Sequence, residues 1–151
     1  LRTAKDIQAL REALKDGVID CVSTDHAPHT EEHKMEEFDN PPFGVIGLET
    51  ALGVCMTELV HTKKLTLGEL VERMSVRPAE ILKLAKGFGE IKKGTEANLA
   101  LVDLKEEWTV QADHFVSKSR NSCFTGKKLK GNVVATLCMG NLWIFRDGIK
   151  G

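Results

Sequence analysis

One short apolar run, residues 18–22, limits most strongly what this chain can fold into. The run contains two valines and an isoleucine, follows Gly17 and leads directly into a polar cluster, so it predicts a buried strand. A buried parallel strand needs parallel neighbours, and the sequence predicts none. We therefore expect the first half of the chain to be the end of a larger α/β domain, either as a fragment or docked on another polypeptide. The first residue, Leu1, fits a fragment or a processed product.

The polar cluster at residues 23–30 holds the densest group of ionisable side chains. Asp25, His26 and His29 follow the predicted strand, with Pro28 between the histidines. The C-terminal end of a strand is where (β/α) barrels carry their catalytic groups. Asp25 can be a metal ligand, a general base or both, or simply a loop aspartate. His26 is expected to point elsewhere, whereas His29 can turn back over the site and bind an anion, or merely pack.

Amphipathic helices surround this cluster. A helix is predicted over residues 3–16, capped by Thr3 and ended by Gly17. After a long polar segment, apolar residues at helical spacing predict a helix over 48–60, and a capping box predicts another over 66–74. A further helix is expected from Pro78 to Gly87, with Arg77 as an unusual N-cap.

Residues 88–151 have a different character, because they are rich in turns and strand-forming residues and poor in catalytic types. Strands are predicted over residues 99–102 and 108–110, and a hairpin over 133–145 turns at Gly140 and Asn141. Strands without intervening helices indicate a separate small β unit.

Composition excludes several classes of function. The formal net charge of −1 gives no electrostatic basis for binding nucleic acid or an anionic membrane. No apolar stretch approaches the roughly 20 residues of a membrane span, and no signal peptide opens the chain. The spacing of Cys21, Cys55, Cys123 and Cys138 contains no CxxC pair, and three of them lie in apolar runs. This pattern predicts buried free thiols in a reducing cytoplasm.

The sequence of residues 23–30, Ser-Thr-Asp-His-Ala-Pro-His-Thr, closely resembles the signature of the dihydroorotases. These enzymes are metal-dependent amidohydrolases of pyrimidine biosynthesis. The resemblance continues in order through residues 42–50, 78–79, 94–99 and 117–126, and it is to the long, bacterial-type (class I) members. Two positions depart from the usual pattern, since Asn98 stands where aspartate is common and Cys123 where proline is common.

This resemblance implies a fold and a set of site residues. The fold class is α/β: residues 1–87 would be the C-terminal part of a metal-dependent-hydrolase TIM barrel, and residues 88–151 the C-terminal part of a small β-sandwich. Asp25 would be both a metal ligand and the catalytic acid and base. His29 would bind the substrate carboxylate, and the backbone of Pro42, Phe43 and Gly44 would hold the dihydroorotate ring.

The resemblance also implies a reaction, a cofactor and partners. The reaction would be the reversible hydrolysis of L-dihydroorotate to N-carbamoyl-L-aspartate. The cofactor would be a binuclear zinc centre, whose remaining ligands lie outside these residues. The full-length protein would be a cytoplasmic homodimer that binds neither nucleic acid nor membrane.

Two other functions stay open. One is a non-catalytic dihydroorotase-like subunit that scaffolds aspartate transcarbamoylase, and the other is a related cyclic-amide hydrolase of the hydantoinase or allantoinase type. The pair of Asp25 and His29 favours an enzyme over a scaffold, and residues 27–29 favour a dihydroorotase over its relatives. For the 151 residues alone we expect no activity and weak or no stoichiometric zinc.

Overall fold

The computed structural model describes residues 3–37, 39–84 and 87–144. Within these ranges, helices fill the first part of the chain and an antiparallel sheet the last. The helices are α1 (Ala4–Asp16), α2 (Glu31–Lys34), α3 (Ala51–Cys55), α4 (Leu67–Val71) and α5 (Arg77–Ile81), and the strands are β1 (Leu99–Thr109), β2 (Lys128–Cys138) and β3 (Asn141–Ile144).

Helix α1 forms where its capping residues predict it. The Thr3 hydroxyl accepts a hydrogen bond from the Asp6 backbone N–H, and the Asp6 carboxylate accepts one from the Thr3 N–H. At the other end, Gly17 adopts a left-handed conformation, with φ of 79°, and its N–H returns to the Ala13 carbonyl. The predicted helix over residues 3–16 is therefore confirmed, with Thr3 as its cap.

The prediction of a strand over residues 18–22 is wrong, because the structure has no strand there. These residues lie in no β-ladder, and the Val18 side chain is 77% exposed. Three backbone hydrogen bonds hold the segment instead: the Val18 and Ile19 N–H groups donate to the Ala13 carbonyl, over 2.9 and 3.0 Å, and the Val22 N–H donates to the Arg73 carbonyl over 3.1 Å. A strand exists only against a neighbour, and no described residues provide a parallel one.

The apolar stripe of residues 48–60 forms a helix that starts later than predicted. Leu48 lies in the preceding turn and is 64% exposed, and α3 begins at Ala51. After Cys55 the helix continues as a π-helical turn, Met56–Val60. Cys55 and Met56 face the interior, so the predicted amphipathic character is confirmed from Ala51 onwards.

The two helices predicted over residues 66–74 and from Pro78 are one uninterrupted helical segment. The capping box of Thr66 and Glu69 starts it as predicted. The segment passes from α4 through a π-helical turn, Glu72–Val76, directly into α5. Arg77 is thus not an N-cap: its N–H bonds to the Glu72 carbonyl, five residues back. We attribute the widened turn to Pro78, which has no N–H and disfavours a regular α-helical turn before it.

The two strands predicted over residues 99–102 and 108–110 are one strand, β1, with an irregularity in the middle. The Asp103 carboxylate accepts hydrogen bonds from the backbone N–H groups of Lys105 and Glu106, and the register shifts between Asp103 and Glu107. This local turn interrupts the apolar alternation that sequence patterns depend on. Val110 lies just beyond the strand and is buried.

The β2–β3 hairpin is confirmed, but its turn is one residue earlier than predicted. Cys138 pairs with Asn141, so Met139 and Gly140 form the loop, with φ of 49° and 80°. Two consecutive positive φ angles are what a two-residue type I′ hairpin requires. The sheet order is β1-β2-β3, and the last predicted strand residue, Phe145, lies outside the described residues.

Two apolar clusters form the core, and one of them joins the helices to the sheet. In that cluster Ile46 packs with Val110, Phe115 and Leu129, which come from the β-rich part of the chain. The other cluster contains Cys55, Met56 and Leu70. The boundary between residues 87 and 88 remains a prediction.

All four cysteines are free thiols, as predicted, but most of them are not buried. Only Cys55 is buried: Cys21 and Cys138, which were also predicted to be buried, are half-buried, and Cys123 is exposed. Burial raises the pKa of the Cys55 thiol. No helix in the described ranges is long and apolar enough to cross a membrane.

Candidate functional site

Asp25 occupies a strained position in the loop at residues 23–30. Its φ is 44°, in the left-handed region that aspartate tolerates better than most residues, and its side chain is exposed. No hydrogen bond or ion pair joins its carboxylate to another residue in the described part of the chain. Strain of this kind is common at functional sites.

His26 points away from Asp25, as predicted, and holds the beginning of the next helix. Its Nδ1 accepts hydrogen bonds from the backbone N–H groups of Gly47 and Leu48, at 3.1 and 3.4 Å. A ring nitrogen that accepts a hydrogen bond carries no proton. His26 therefore joins the Asp25 loop to the segment that leads into α3.

His29 meets the second predicted element of the site. Its Nε2 lies 3.0 Å from the carbonyl oxygen of Phe43. The Lys34 ammonium, at the end of α2, donates to the carbonyls of Pro42 and Gly44 over 2.6 and 2.9 Å. The structure thus brings His29 and residues 42–44 together. The loop at residues 23–30, which carries Asp25 and His29, faces the loop at residues 42–44.

Gly44 allows the two loops to approach closely. Its φ is 102°, and a Cβ built at this position would lie 2.6 Å from the Cβ of Ala27. The Ala27 N–H donates to the Val45 carbonyl over 3.0 Å. A side chain at residue 44 would therefore force the loops apart.

Asn121 also contacts both loops, although it belongs to the β-rich part of the chain. Its Nδ2 donates to the carbonyls of Ala27 and Gly44 over 2.9 and 3.3 Å. Its Oδ1 accepts from the His29 N–H over 3.4 Å, and its own carbonyl accepts from the Ile46 N–H over 3.0 Å. Sequence reasoning missed this residue because a single asparagine far along the chain gives no chemical signal. The only indication was its place in the stretch at residues 117–126, which belongs to the resemblance described above.

Glu49 makes a second connection between the two parts of the chain. Its carboxylate accepts hydrogen bonds from the backbone N–H groups of Val116 and Ser117, at 2.9 and 3.1 Å. A carboxylate that accepts two backbone N–H groups holds a loop firmly. The 115–122 segment is therefore fixed beside the site at two points, Glu49 and Asn121.

Comparison with known families identifies the chain. The sequence profile described as "Amidohydrolase family" matches residues 1–143. The chain belongs to the amidohydrolase family. Its predicted resemblance to the dihydroorotases is confirmed by curated relatives of that name. The dihydroorotase of Thermoanaerobacter sp. (strain X514) is 48% identical over 147 residues, covering 97% of this chain and 33% of the relative. That of Endomicrobium trichonymphae is 44% identical over 142 residues, covering 94% and 33%.

A solved amidohydrolase structure supports the fold. The chain is similar to the L-hydantoinase (dihydropyrimidinase) from Arthrobacter aurescens, with a TM-score of 0.90 and 30% identity over 99% of this chain and 34% of that one. The predicted fold class, a partial α/β barrel with part of a small β unit, is confirmed. The chain spans about a third of the length of the curated relatives it matches.

The described part of this amidohydrolase chain does not complete a metal site by itself. Among the described residues, no three side chains of histidine, cysteine, aspartate or glutamate are grouped so that they could hold a metal ion. A catalytic zinc ion takes about three protein ligands. Asp25 can supply one of them, whereas the Nδ1 of His26 is occupied by backbone N–H groups. A metal bound at Asp25 needs ligands from other residues.

Proposed function

We propose that this chain forms the C-terminal third of a dihydroorotase, which interconverts L-dihydroorotate and N-carbamoyl-L-aspartate in pyrimidine biosynthesis. The observation that carries the proposal is the approach of His29 to residues 42–44, next to an exposed Asp25 in the same loop. The curated relatives at 44–48% identity support this reading over a hydantoinase, since the L-hydantoinase is only 30% identical.

Asp25 is the acid and base of the proposed reaction. Its carboxylate is exposed and makes no hydrogen bond within the described part of the chain, so its oxygens are accessible to a substrate or a metal ion. In the hydrolytic direction the carboxylate takes a proton from the attacking water and passes it to the leaving ring nitrogen. A zinc centre, with Asp25 as one ligand, supplies activation of that water when it is bound.

His29 and residues 42–44 bind the substrate in this proposal. Dihydroorotate carries a carboxylate and a cyclic ureide ring with N–H and C=O groups, so it needs a donor for the anion and backbone groups for the ring. The His29 Nε2, which contacts the Phe43 carbonyl at 3.0 Å, exchanges that contact for the substrate carboxylate. The loop offers the backbone N–H groups of Phe43 and Gly44, since its three carbonyls are already hydrogen-bonded within the described residues. Lys34 adds a positive charge directly behind this loop, which favours an anionic ligand.

The remaining parts of the proposal concern the whole protein. Its zinc centre is binuclear, with the other ligands outside this chain. The protein is a cytoplasmic homodimer. A link to aspartate transcarbamoylase follows if the protein is instead a non-catalytic subunit, and the test below separates these two cases.

A hybrid enzyme that contains this chain with its sequence unchanged tests the proposal. Residues 1–151 replace the segment that they match in the Thermoanaerobacter dihydroorotase, and the resulting chimaeric protein is called the hybrid enzyme from here on. We expect it to hydrolyse L-dihydroorotate and to leave hydantoin and allantoin nearly untouched. Turnover of hydantoin or allantoin in preference would favour the related cyclic-amide hydrolase. A folded hybrid with no turnover of any of the three would contradict the enzymatic function and favour the scaffold.

A further inference from the structure

The side-chain amide of Asn121 connects three backbone groups that are far apart in sequence. As a donor it reaches the carbonyls of Ala27 and Gly44, and as an acceptor it faces the N–H of His29. Asn121 is 94, 77 and 92 residues away from these partners, respectively. An asparagine side chain offers both two donors and an acceptor, which is what this arrangement requires.

These three backbone groups belong to the two loops of the candidate site. Ala27 and His29 are on the loop that carries Asp25, and Gly44 is on the loop that faces the His29 ring. The Nε2 of His29 and the carbonyl of Phe43 lie 3.0 Å apart across the gap between the loops. The Asn121 amide lies on the same gap, so it sets the distance between the histidine and the backbone loop.

Neither aspartate nor alanine can replace this amide. Aspartate has the same shape but no N–H, so its carboxylate would face the carbonyl oxygens of Ala27 and Gly44 and repel them. Alanine would remove the side-chain donor to the Ala27 carbonyl, and a lost hydrogen bond at a half-buried site is costly. The Gly44 carbonyl would keep the bond from Lys34, at 2.9 Å. The loops would therefore stay formed but lose their fixed spacing.

We propose that Asn121 is a positioning residue for the substrate-binding groups, through which the β-rich part of the chain takes part in substrate recognition. This inference rests on the proposed function, because it takes His29 and residues 42–44 to be the substrate-binding groups. Asn121 itself touches no reacting atom in this account. It acts through His29 and Gly44, and the acid–base role of Asp25 does not depend on it.

The test compares Asn121→Ala with a matched control, Asn132→Ala, in the hybrid enzyme. Asn132 is also half-buried in the β-rich part, where its Nδ2 donates to the Glu106 carboxylate over 3.2 Å, and within the described residues its side chain makes no hydrogen bond to either loop. For Asn121→Ala we expect the KM for L-dihydroorotate to rise about tenfold, with kcat changed by less than about threefold. For Asn132→Ala we expect both constants to stay at the parent values. The inference would be overturned if Asn121→Ala lowered kcat about tenfold and left KM unchanged. It would also be overturned if Asn121→Ala left both constants at the values of the unsubstituted hybrid enzyme.

A second measurement does not depend on turnover and separates the two proposals. The ring nitrogens of ¹⁵N-labelled histidine are observed by NMR, and the His29 signals are assigned from a His29→Ala sample. We expect the His29 signals to shift in Asn121→Ala and to stay in place in Asn132→Ala. A shift in an inactive hybrid enzyme would uphold the positioning role while the proposed reaction failed. Unchanged His29 signals would overturn the positioning role even if the enzyme were active. Should Asn121→Ala fail to fold, Asn121→Ser, which keeps one donor, takes its place in both measurements.

Discussion

At the scale of single residues, the site depends on positions where the side chain, or its absence, is decisive. Gly44 matters because it has no Cβ where Ala27 lies against it. His29 matters because its ring reaches a carbonyl of the opposite loop. The two positions make separate predictions, one about loop approach and one about substrate binding.

Replacing Gly44 by alanine is expected to push the two loops apart. The new Cβ would meet the Ala27 Cβ at 2.6 Å, and alanine also disfavours the φ of 102°. We expect a loss of about 1–3 kcal/mol of stability and a raised KM, measured by denaturant unfolding and steady-state kinetics of the hybrid enzyme.

Gly94→Ala is the matched control for the backbone cost alone. Gly94 has a φ of 88°, and a Cβ there would meet no atom within 4 Å. It should show a smaller loss of stability and an unchanged KM. Equal effects of the two variants on KM would mean that contact with Ala27 is unimportant.

Replacing His29 by alanine is expected to weaken substrate binding and leave the metal in place. Loss of a hydrogen bond to an anionic group corresponds to a rise in KM of about 10- to 100-fold. The zinc content of the purified hybrid enzyme, measured by mass spectrometry, should equal that of the parent. Loss of zinc in this variant would contradict the role assigned to His29 and make it a metal ligand instead.

At the scale of elements, the helical segment that begins at Leu67 depends on its capping box. The Thr66 hydroxyl accepts a hydrogen bond from the Glu69 N–H, and the Glu69 carboxylate accepts bonds from the N–H and hydroxyl of Thr66. These bonds, the backbone one above all, lower the pKa of Glu69 from its ordinary value of 4.5. The cap is therefore stronger when Glu69 is ionised.

Thr66→Ala should weaken this cap and raise the pKa of Glu69 part of the way to 4.5, since the backbone N–H remains. Thr66→Ser keeps the hydroxyl and should preserve both the unfolding temperature and the pKa. Because the pKa of Glu69 is lowered on folding, its stabilising contribution is complete above 4.5 and is lost as the pH falls through the lowered value. The difference in unfolding temperature between the unsubstituted protein and Thr66→Ala should therefore become smaller as the pH falls. A carboxyl ¹³C titration checks the pKa, and a value of Glu69 that Thr66→Ala does not move would contradict this account.

At the scale of the whole molecule, several large apolar side chains lie on the surface. Val18, Phe43 and Ile91 are 77%, 98% and 88% exposed. A cavity of about 330 Å³ between α4 and β1 is lined mostly by apolar residues and contains neither Asp25 nor His29. Apolar side chains exposed in this way are available for contact with other polypeptide.

The isolated 151 residues are expected to associate and to lack activity. The segment at residues 18–22, which has no strand partner among the described residues, and the exposed apolar side chains favour self-association. Light scattering after gel filtration should show species larger than the 16.7 kDa monomer, without stoichiometric zinc after dialysis against the metal. The hybrid enzyme, measured alongside, should bind zinc. A monomeric isolated chain with bound zinc and turnover would contradict this expectation.

Local signals in the sequence predicted the elements whose cause is local. The capping boxes at Thr3 and Thr66 and the hairpin near Gly140 are examples, because each depends on residues within a few positions. The strand at residues 18–22 could not be settled in this way, since a strand depends on neighbours that the described residues do not supply. The merged strand β1 and the continuous helix through Pro78 were missed because a side-chain turn at Asp103 and a widened helical turn leave no periodic pattern.

The candidate site divides along the same line. Asp25, His29 and residues 42–44 were predicted as site residues from two signals. One is their residue types, and the other is the resemblance of the surrounding sequence to the dihydroorotases. The contacts of Asn121 and Glu49 join segments more than 60 residues apart, so only the folded chain shows them. The sequence alone does not show which of these distant residues form hydrogen bonds with each other.

The most direct measurement of the central claim is the kcat of Asp25→Ala in the hybrid enzyme, with L-dihydroorotate as substrate. The control is Asp113→Ala, which removes an exposed carboxylate in the short helical turn of the β-rich part. We expect Asp25→Ala to lower kcat at least about 100-fold, because a general acid and base contributes roughly that much or more. Asp113→Ala should keep the parent value. If Asp25→Ala turned over dihydroorotate at the parent rate, Asp25 would not be the acid and base, and the proposed catalytic function of this loop would be wrong.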